Sequence, residues 1–202
     1  MNERLSRWSD LPEHLVFWNG VLRNPRSVGA LAPSSPYLAR HMVREVKRGS
    51  RTVELGPGTG AFTGEIVARA GPDGRVLAVD IDAEFCKRVG RAWPQIDCVC
   101  ASAETLPALA THRGMSPVDH IVSGLPFGSL PAKTTRLILD AVCETLRPGG
   151  TFTTFQYVHA YPLPPGVAFR RNLTALLGSP PDLDLVVRNV PPAFVLTWHR
   201  AK

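Results

Sequence analysis

The sequence predicts an α/β fold: a seven-stranded, mainly parallel sheet with helices on both faces, preceded by an N-terminal helical extension. Three observations lead there. From residue 51 onward, short apolar runs bounded by turn formers alternate with segments of helical period. The first of these runs passes through a glycine-rich turn straight into a helix. Finally, 202 residues, 44% hydrophobic and 20% charged, suffice for one such domain with a substantial core.

Taken in order, the extension comes first. Ser9 or Asp10 caps a helix whose first turn accepts Pro12. Trp8, Leu11, Leu15, Trp18 and Leu22 recur at spacings of three and four, so they share one face, which Val16, Phe17 and Val21 widen. Asn24-Pro25 ends this helix. A loop rich in small residues and turn formers follows over 26–36, then a second helix over 37–48 with Leu38, Met42 and Val46 as its stripe. Strands are expected at 52–55, 75–79, 96–100, 120–123, 151–157, 185–188 and 194–198. Helices are expected at 61–69, 83–93, 132–146 and 167–177, with a short turn at 104–109 and an irregular loop at 162–166. The link between the last two strands, through Pro191-Pro192, is short enough for an antiparallel pair. The chain therefore divides into helical residues 1–50 and a sheet domain over 51–202.

Charge is uneven. Net charge is +6, and most of it falls early. The first 51 residues carry Arg4, Arg7, Arg23, Arg26, Arg40, Arg44, Lys47, Arg48 and Arg51 against only Glu3, Asp10, Glu13 and Glu45. Such a block is either a solvated face or the footprint of an anionic partner, nucleic acid or an anionic membrane surface. No apolar run approaches the ~20 residues of a membrane-spanning helix, and the polar start lacks the pattern of a signal peptide. Cys86, Cys98, Cys100 and Cys143 form no CxxC pair, and the six histidines lack ligand spacing, so reduced cytoplasmic thiols and no metal site are expected.

The strongest signal is Val53-Glu54-Leu55-Gly56-Pro57-Gly58-Thr59-Gly60. Gly56, Gly58 and Gly60 let the chain turn tightly and let a ligand approach the main chain, with Pro57 between them. The spacing is GxGxG rather than the GxGxxG of dinucleotide sites, and Glu54 stands two residues ahead, placed for a cationic or amine-bearing ligand. Asp80, twenty residues beyond Gly60 and followed by Ile81, ends the second strand, where an acid can accept from both hydroxyls of a ribose. Asp82 caps the next helix. Ser102 and the Ala103 amide follow the third strand, where a base edge would lie; Ser102 either meets that edge or caps the following turn.

These residues, with Arg147-Pro148-Gly149-Gly150 before the fifth strand, resemble class I S-adenosylmethionine-dependent methyltransferases over residues 51–200. The resemblance implies a Rossmann-like sheet, S-adenosylmethionine as methyl donor, and a cofactor site of Glu54, Gly56, Pro57, Gly58, Gly60, Asp80, Ile81, Ser102, Ala103 and Ser123. An Asp is commoner in that family where Ser102 stands.

The acceptor should lie beyond the carboxyl ends of the strands, where open α/β sheets bind ligands. The fourth strand runs out through Ser123-Gly124-Leu125-Pro126-Phe127, similar to the Asn-Leu-Pro-Tyr type of motif in amino-group methyltransferases, but with Ser123 and Gly124 where the polar Asn or Asp would be. Phe127 is either a contact for a planar or cationic group or an ordinary packing residue. Tyr157, ending the fifth strand, is the first choice for an amine contact; His159 is a base or merely solvated. Ser123, Gly124, Leu125, Tyr157 and His159 thus form the expected catalytic set.

From about residue 15 the chain further resembles bacterial soluble phosphatidylethanolamine N-methyltransferases, through residues 18–35, 53–60, Ser123-Gly124-Leu125-Pro126 and Arg188-Asn189-Val190-Pro191-Pro192-Ala193. That resemblance implies stepwise methylation of phosphatidylethanolamine to phosphatidylcholine by a cytoplasmic protein bound peripherally to the inner membrane face. The N-terminal helix has the aromatic face and flanking arginines of an interfacial helix, and no stable nucleic-acid partner is expected. The same face could instead pack on the domain as a lid. Two other readings stay open: an rRNA adenine N6-methyltransferase-like enzyme, whose Leu-Pro-aromatic motif Leu125-Pro126-Phe127 matches, and a non-catalytic S-adenosylmethionine-binding protein.

Overall fold

The computed structural model describes residues 34–202. The helix expected around Trp8–Leu22 lies outside the described residues. The described elements are α1 (Pro36–Met42), β1 (Arg51–Leu55), α2 (Thr63–Ala70), β2 (Arg75–Asp80), α3 (Ala83–Ala92), β3 (Asp97–Cys100), α4 (Leu106–His112), β4 (Val118–Ser123), α5 (Ala132–Thr145), β5 (Leu146–Tyr157), α6 (Pro164–Leu177), β6 (Asp182–Val186) and β7 (Ala193–His199).

The seven strands make one sheet in the order β3-β2-β1-β4-β5-β7-β6. Pairs from β3 through β5 are parallel; β7 is antiparallel to both neighbours. Val53 and Leu55 of β1, and Leu77 and Val79 of β2, are buried, as strands covered on both faces must be. On one face, Leu38, Met42, Val43 and Val46 pack with Phe62 and Ile66 against Val122, Val186 and Val195. Each fully buried aliphatic side chain there contributes roughly 1.5–3 kcal/mol. Residues 36–46 therefore share the core of the sheet. On the other face, Phe169 of α6 stacks on Phe127 at 4.4 Å and meets Trp198 edge-on at 5.9 Å, while the Trp198 indole N–H donates to Thr174 Oγ1 at 3.0 Å.

Several boundaries differ from expectation for local reasons. α1 stops at Met42 rather than near residue 48. β6 runs Asp182–Val186, three residues earlier than the apolar run 185–188 suggested, because its register pairs Asp182 with Thr197 and Val186 with Ala193. Arg188 and Asn189 are thereby released into the turn. The expected loop 162–166 is in part helix, since the prolines at 164 and 165 suit a first turn with no N–H to satisfy. The turn near residue 104 is a 3-10 turn, Ala103–Thr105, leading into α4.

This topology places the site. β1 is followed across α2 by β2 on one side, while β4 lies on its other side, so the direction of winding reverses between β1 and β4. Ligands of open α/β sheets bind at that crevice. The register sets Leu55 level with Val79 and Ser123, and Ser123 level with Thr154, so the loops after β1, β2, β4 and β5 emerge on one edge. Among the described residues no helix is long and apolar enough to cross a membrane.

Candidate active site

The turns after β1 and β4 meet backbone to backbone. Gly56 N–H donates to the Val79 carbonyl at 2.9 Å, and Gly124 N–H donates to the Leu55 carbonyl at 2.8 Å. A Cβ on Gly124 would stand 2.8 Å from the Gly56 carbonyl oxygen, and one on Gly56 only 2.6 Å from Leu125 Cδ2. Side chains at either position would force the crevice apart. Gly58 is different: its φ is +53°, yet nothing lies within 4 Å of where its Cβ would point. The bare main chain there faces open space, a cradle that a side chain would fill. Gly60 N–H donates to the Pro57 carbonyl at 2.8 Å, closing the loop, and the Trp93 ring covers Gly60.

Two carboxylates flank this loop. Asp80 is buried; its Oδ2 accepts from Gly58 N–H at 3.1 Å and its Oδ1 from Asp82 N–H at 3.0 Å. Burial raises its pKa, against the pull of those two amides. Glu54 is fully buried at the end of β1, its Oε2 accepting from the Thr63 hydroxyl at 2.7 Å. Its Oε1 has no hydrogen-bond partner among the described residues. Burial pushes Glu54 up to about 8, the Thr63 hydroxyl opposing and the Asp80 charge adding. An unsatisfied buried oxygen costs on the order of 1–3 kcal/mol. A cation placed against it would recover that cost and hold the carboxylate ionised.

The adenine-edge candidates are less distinctive. Ser102 Oγ accepts from Glu104 N–H at 3.4 Å and caps the 3-10 turn. Ala103 is buried behind it. The Ile81 carbonyl accepts from the Cys100 thiol at 3.5 Å. Asp82 caps α3 as expected, accepting from Glu84 and Phe85 N–H at 2.8 and 3.2 Å.

At the acceptor end, Ser123 is fully buried, and its Oγ accepts from Leu125 N–H at 3.3 Å within its own turn. Its carbonyl accepts from the Thr154 hydroxyl at 3.0 Å, tying β4 to β5. Ser123, Gly124 and Leu125 thus shape the crevice wall. Phe127 is buried against Phe169, which leaves its face to the core rather than to an acceptor. Tyr157 stands three residues past the Ser123–Thr154 pair, roughly 10 Å along the strand. It lies edge-on to Phe155 at 5.4 Å and stacks on His159 at 5.7 Å with only 9° between the rings. Phe155 in turn meets Phe62 edge-on at 5.9 Å. Burial pushes the Tyr157 phenol above its ordinary pKa, so it stays neutral at physiological pH and can donate its O–H. His159 is exposed.

The structure therefore gathers Glu54, Gly56, Gly58 and Asp80 into one connected unit, with Gly124 and Leu125 across the crevice; Tyr157 and His159 form a second group beyond it. Thr63, Trp93 and Thr154 belong to the site's framework although sequence reasoning passed over them. Thr63 carried the only available hint, as a hydroxyl three residues past Gly60 at the start of α2.

Comparison with known proteins supplies the family. A methyltransferase-domain family model matches residues 53–150. The chain is 32% identical over 147 residues, 70% of its length, to ornithine lipid N-methyltransferase of Singulisphaera acidiphila, covering 77% of that protein. It is 41% identical over 51 residues to ribosomal RNA small subunit methyltransferase A of Burkholderia thailandensis, 25% of this chain and 18% of that protein. A TehB-like SAM-dependent methyltransferase from Corynebacterium glutamicum has the same fold, with a TM-score of 0.63, 15% identity, and 92% of this chain and 98% of that one covered. With this sheet order, this glycine cradle and a relative spanning most of its length, the chain belongs to the class I S-adenosylmethionine-dependent methyltransferases, related to those of lipid headgroups and ribosomal RNA.

Proposed function

We propose that this methyltransferase acts at a membrane surface on the amine headgroup of phosphatidylethanolamine, adding methyl groups stepwise toward phosphatidylcholine. The observation that carries the reading is the likeness to ornithine lipid N-methyltransferase, which covers 77% of that protein. By its name that protein methylates a nitrogen of a lipid, the chemistry proposed here for phosphatidylethanolamine.

Bound S-adenosylmethionine supplies an activated methyl on a sulfonium, which leaves the protein to align acceptor and donor and exclude water. Glu54 Oε1 would receive the ammonium of the amino-acid portion and Asp80 the ribose hydroxyls, and the bare Gly58 backbone would let the ligand lie against the main chain. Ser102, Ala103 and Ile81 line the base end. Gly124 and Leu125 wall the crevice opposite. The neutral Tyr157 hydroxyl would orient the incoming neutral amine by accepting from its N–H, leaving the nitrogen lone pair to attack the methyl as the C–S bond breaks to give S-adenosylhomocysteine; the product ammonium then loses its proton to solvent. The basic, aromatic N-terminal segment supports reversible attachment to an anionic inner-face membrane.

A second reading, methylation of a ribosomal RNA adenine, draws on the 41% identity to ribosomal RNA small subunit methyltransferase A over 51 residues. Label transfer separates the two. With radiolabelled S-adenosylmethionine, vesicles of phosphatidylethanolamine and phosphatidylglycerol should yield mono-, di- and trimethylated lipid, while ribosomal RNA incubated in parallel stays unlabelled. Label in RNA alone overturns the lipid reading. Cofactor binding with label in neither would overturn both readings.

A further inference from the structure

We infer that the rim of loops around the β5 end is itself a lipid-contacting surface that seats the acceptor crevice on an anionic bilayer. The inference rests on the lipid reading above. Beside Tyr157 and His159, the rim exposes Val158, Leu163 and Val167 from the β5–α6 segment, and Val187 and Val190, 66% and 77% exposed, from the β6–β7 link. Single exposed aliphatics are ordinary on a protein surface, but five gathered on two joined loops are not.

The loops are built to hold that shape. Val158 N–H donates to the Pro192 carbonyl at 2.9 Å, joining the two segments. Asn189 is buried; its Nδ2 donates to the Pro191 carbonyl at 2.7 Å, and its Oδ1 accepts from Ser35 N–H at 2.9 Å. Val190 is thus presented on a turn pinned from both sides. The exposed Arg188 lies 5.1 Å over the Tyr37 ring and donates to its hydroxyl at 3.3 Å.

Charge decides the occupant. No Asp or Glu occurs between Val158 and Pro181, or from Leu185 to the last residue, while the exposed Arg171 and Arg188 fall in those stretches. Of the two intervening acids, Asp184 pairs with Arg44 at 2.8 Å, and Asp182 opens β6 opposite Thr197, at the end of the strand away from the rim. Aliphatic tips interleaved with arginine and free of acid suit the boundary between acyl chains and phosphate headgroups. On a bilayer, the rim would bring Tyr157 to headgroup depth.

The test uses the full chain with the double variant Val187→Asp and Val190→Asp. Both side chains point into solvent, so the melting temperature should match wild type. Partition onto vesicles of phosphatidylethanolamine and phosphatidylglycerol should fall by about tenfold or more, because two aliphatic tips no longer enter the bilayer and two anions face an anionic surface. Methylation of short-chain phosphatidylethanolamine below its micelle concentration should persist. Unchanged vesicle partition in the variant, or no vesicle binding by wild type, overturns the rim. Failure of the lipid reading looks different: wild type would bind vesicles through the rim yet methylate neither form of the lipid.

Discussion

At the β1–β2 end of the crevice, carboxylates and main chain grip one another: Asp80 accepts from the Gly58 and Asp82 amides, Glu54 from Thr63, and each glycine turn is closed by a backbone bond. At the β4–β5 end, Ser123 spends its hydroxyl inside its own turn, and Tyr157 and His159 are placed by stacked and edge-on rings. The first region is preorganised for one ligand, with a single buried oxygen left over to receive it. The second offers a surface whose shape follows from packing. A methyltransferase needs that division, because the donor is constant while acceptors vary in size and attachment. Substitutions at the two ends should accordingly separate cofactor affinity from turnover.

The largest effect belongs to the gripped end. Asp80→Ala or Glu54→Ala should weaken S-adenosylmethionine binding by about a hundredfold or more, each removing a charged hydrogen-bonding partner; calorimetry should show this while circular dichroism reports an intact fold. Tyr157→Phe should do the reverse, lowering kcat on the lipid amine about tenfold for a lost orienting hydroxyl, with cofactor affinity unchanged in the same titration. If Tyr157→Phe weakens cofactor binding instead, the two ends are not separable. The smallest effect sharpens the first: Thr63→Val, which frees the second Glu54 oxygen as well, should raise the cofactor Kd by roughly three- to tenfold, a typical worth for one hydrogen bond to a charged group, and Thr63→Ser should restore it.

The same contrast governs what could be read from the chain. The glycine turn and Asp80 were legible because backbone constraints leave few residue choices: a side chain on Gly56 or Gly124 would collide across the crevice, and the acid must end β2. The strand–helix alternation predicted the sheet for a similar reason, since buried parallel strands allow little but apolar runs. What was not legible depends on partners distant in sequence. Gly60 lies against Trp93, Asn189 holds Ser35, and Phe127 packs on Phe169, pairings no local pattern announces. β6 was displaced for the same cause: the run 185–188 looks like a strand, but pairing with β7 decides which residues form it.

The gripped end stands or falls with Glu54, proposed above to receive the cofactor's ammonium. Its pKa in the ligand-free fold is about 8, raised from 4.5 chiefly by burial, so at pH 6.5 it is protonated. Folded chains hold that proton where unfolded ones have lost it, so ligand-free stability should decline as pH rises from the unfolded value through the folded one. A bound ammonium favours the ionised form, so cofactor affinity should climb as pH rises toward about 8 and fall again above it, where the ligand's own amine loses its proton. The direct measurement is calorimetry of S-adenosylmethionine binding at pH 6.5 in buffers of different ionisation enthalpy. Wild type should release about one proton per site on binding, and Glu54→Gln none, with weaker affinity. Binding by the wild type with no proton released, or equal affinity in Glu54→Gln, would contradict it.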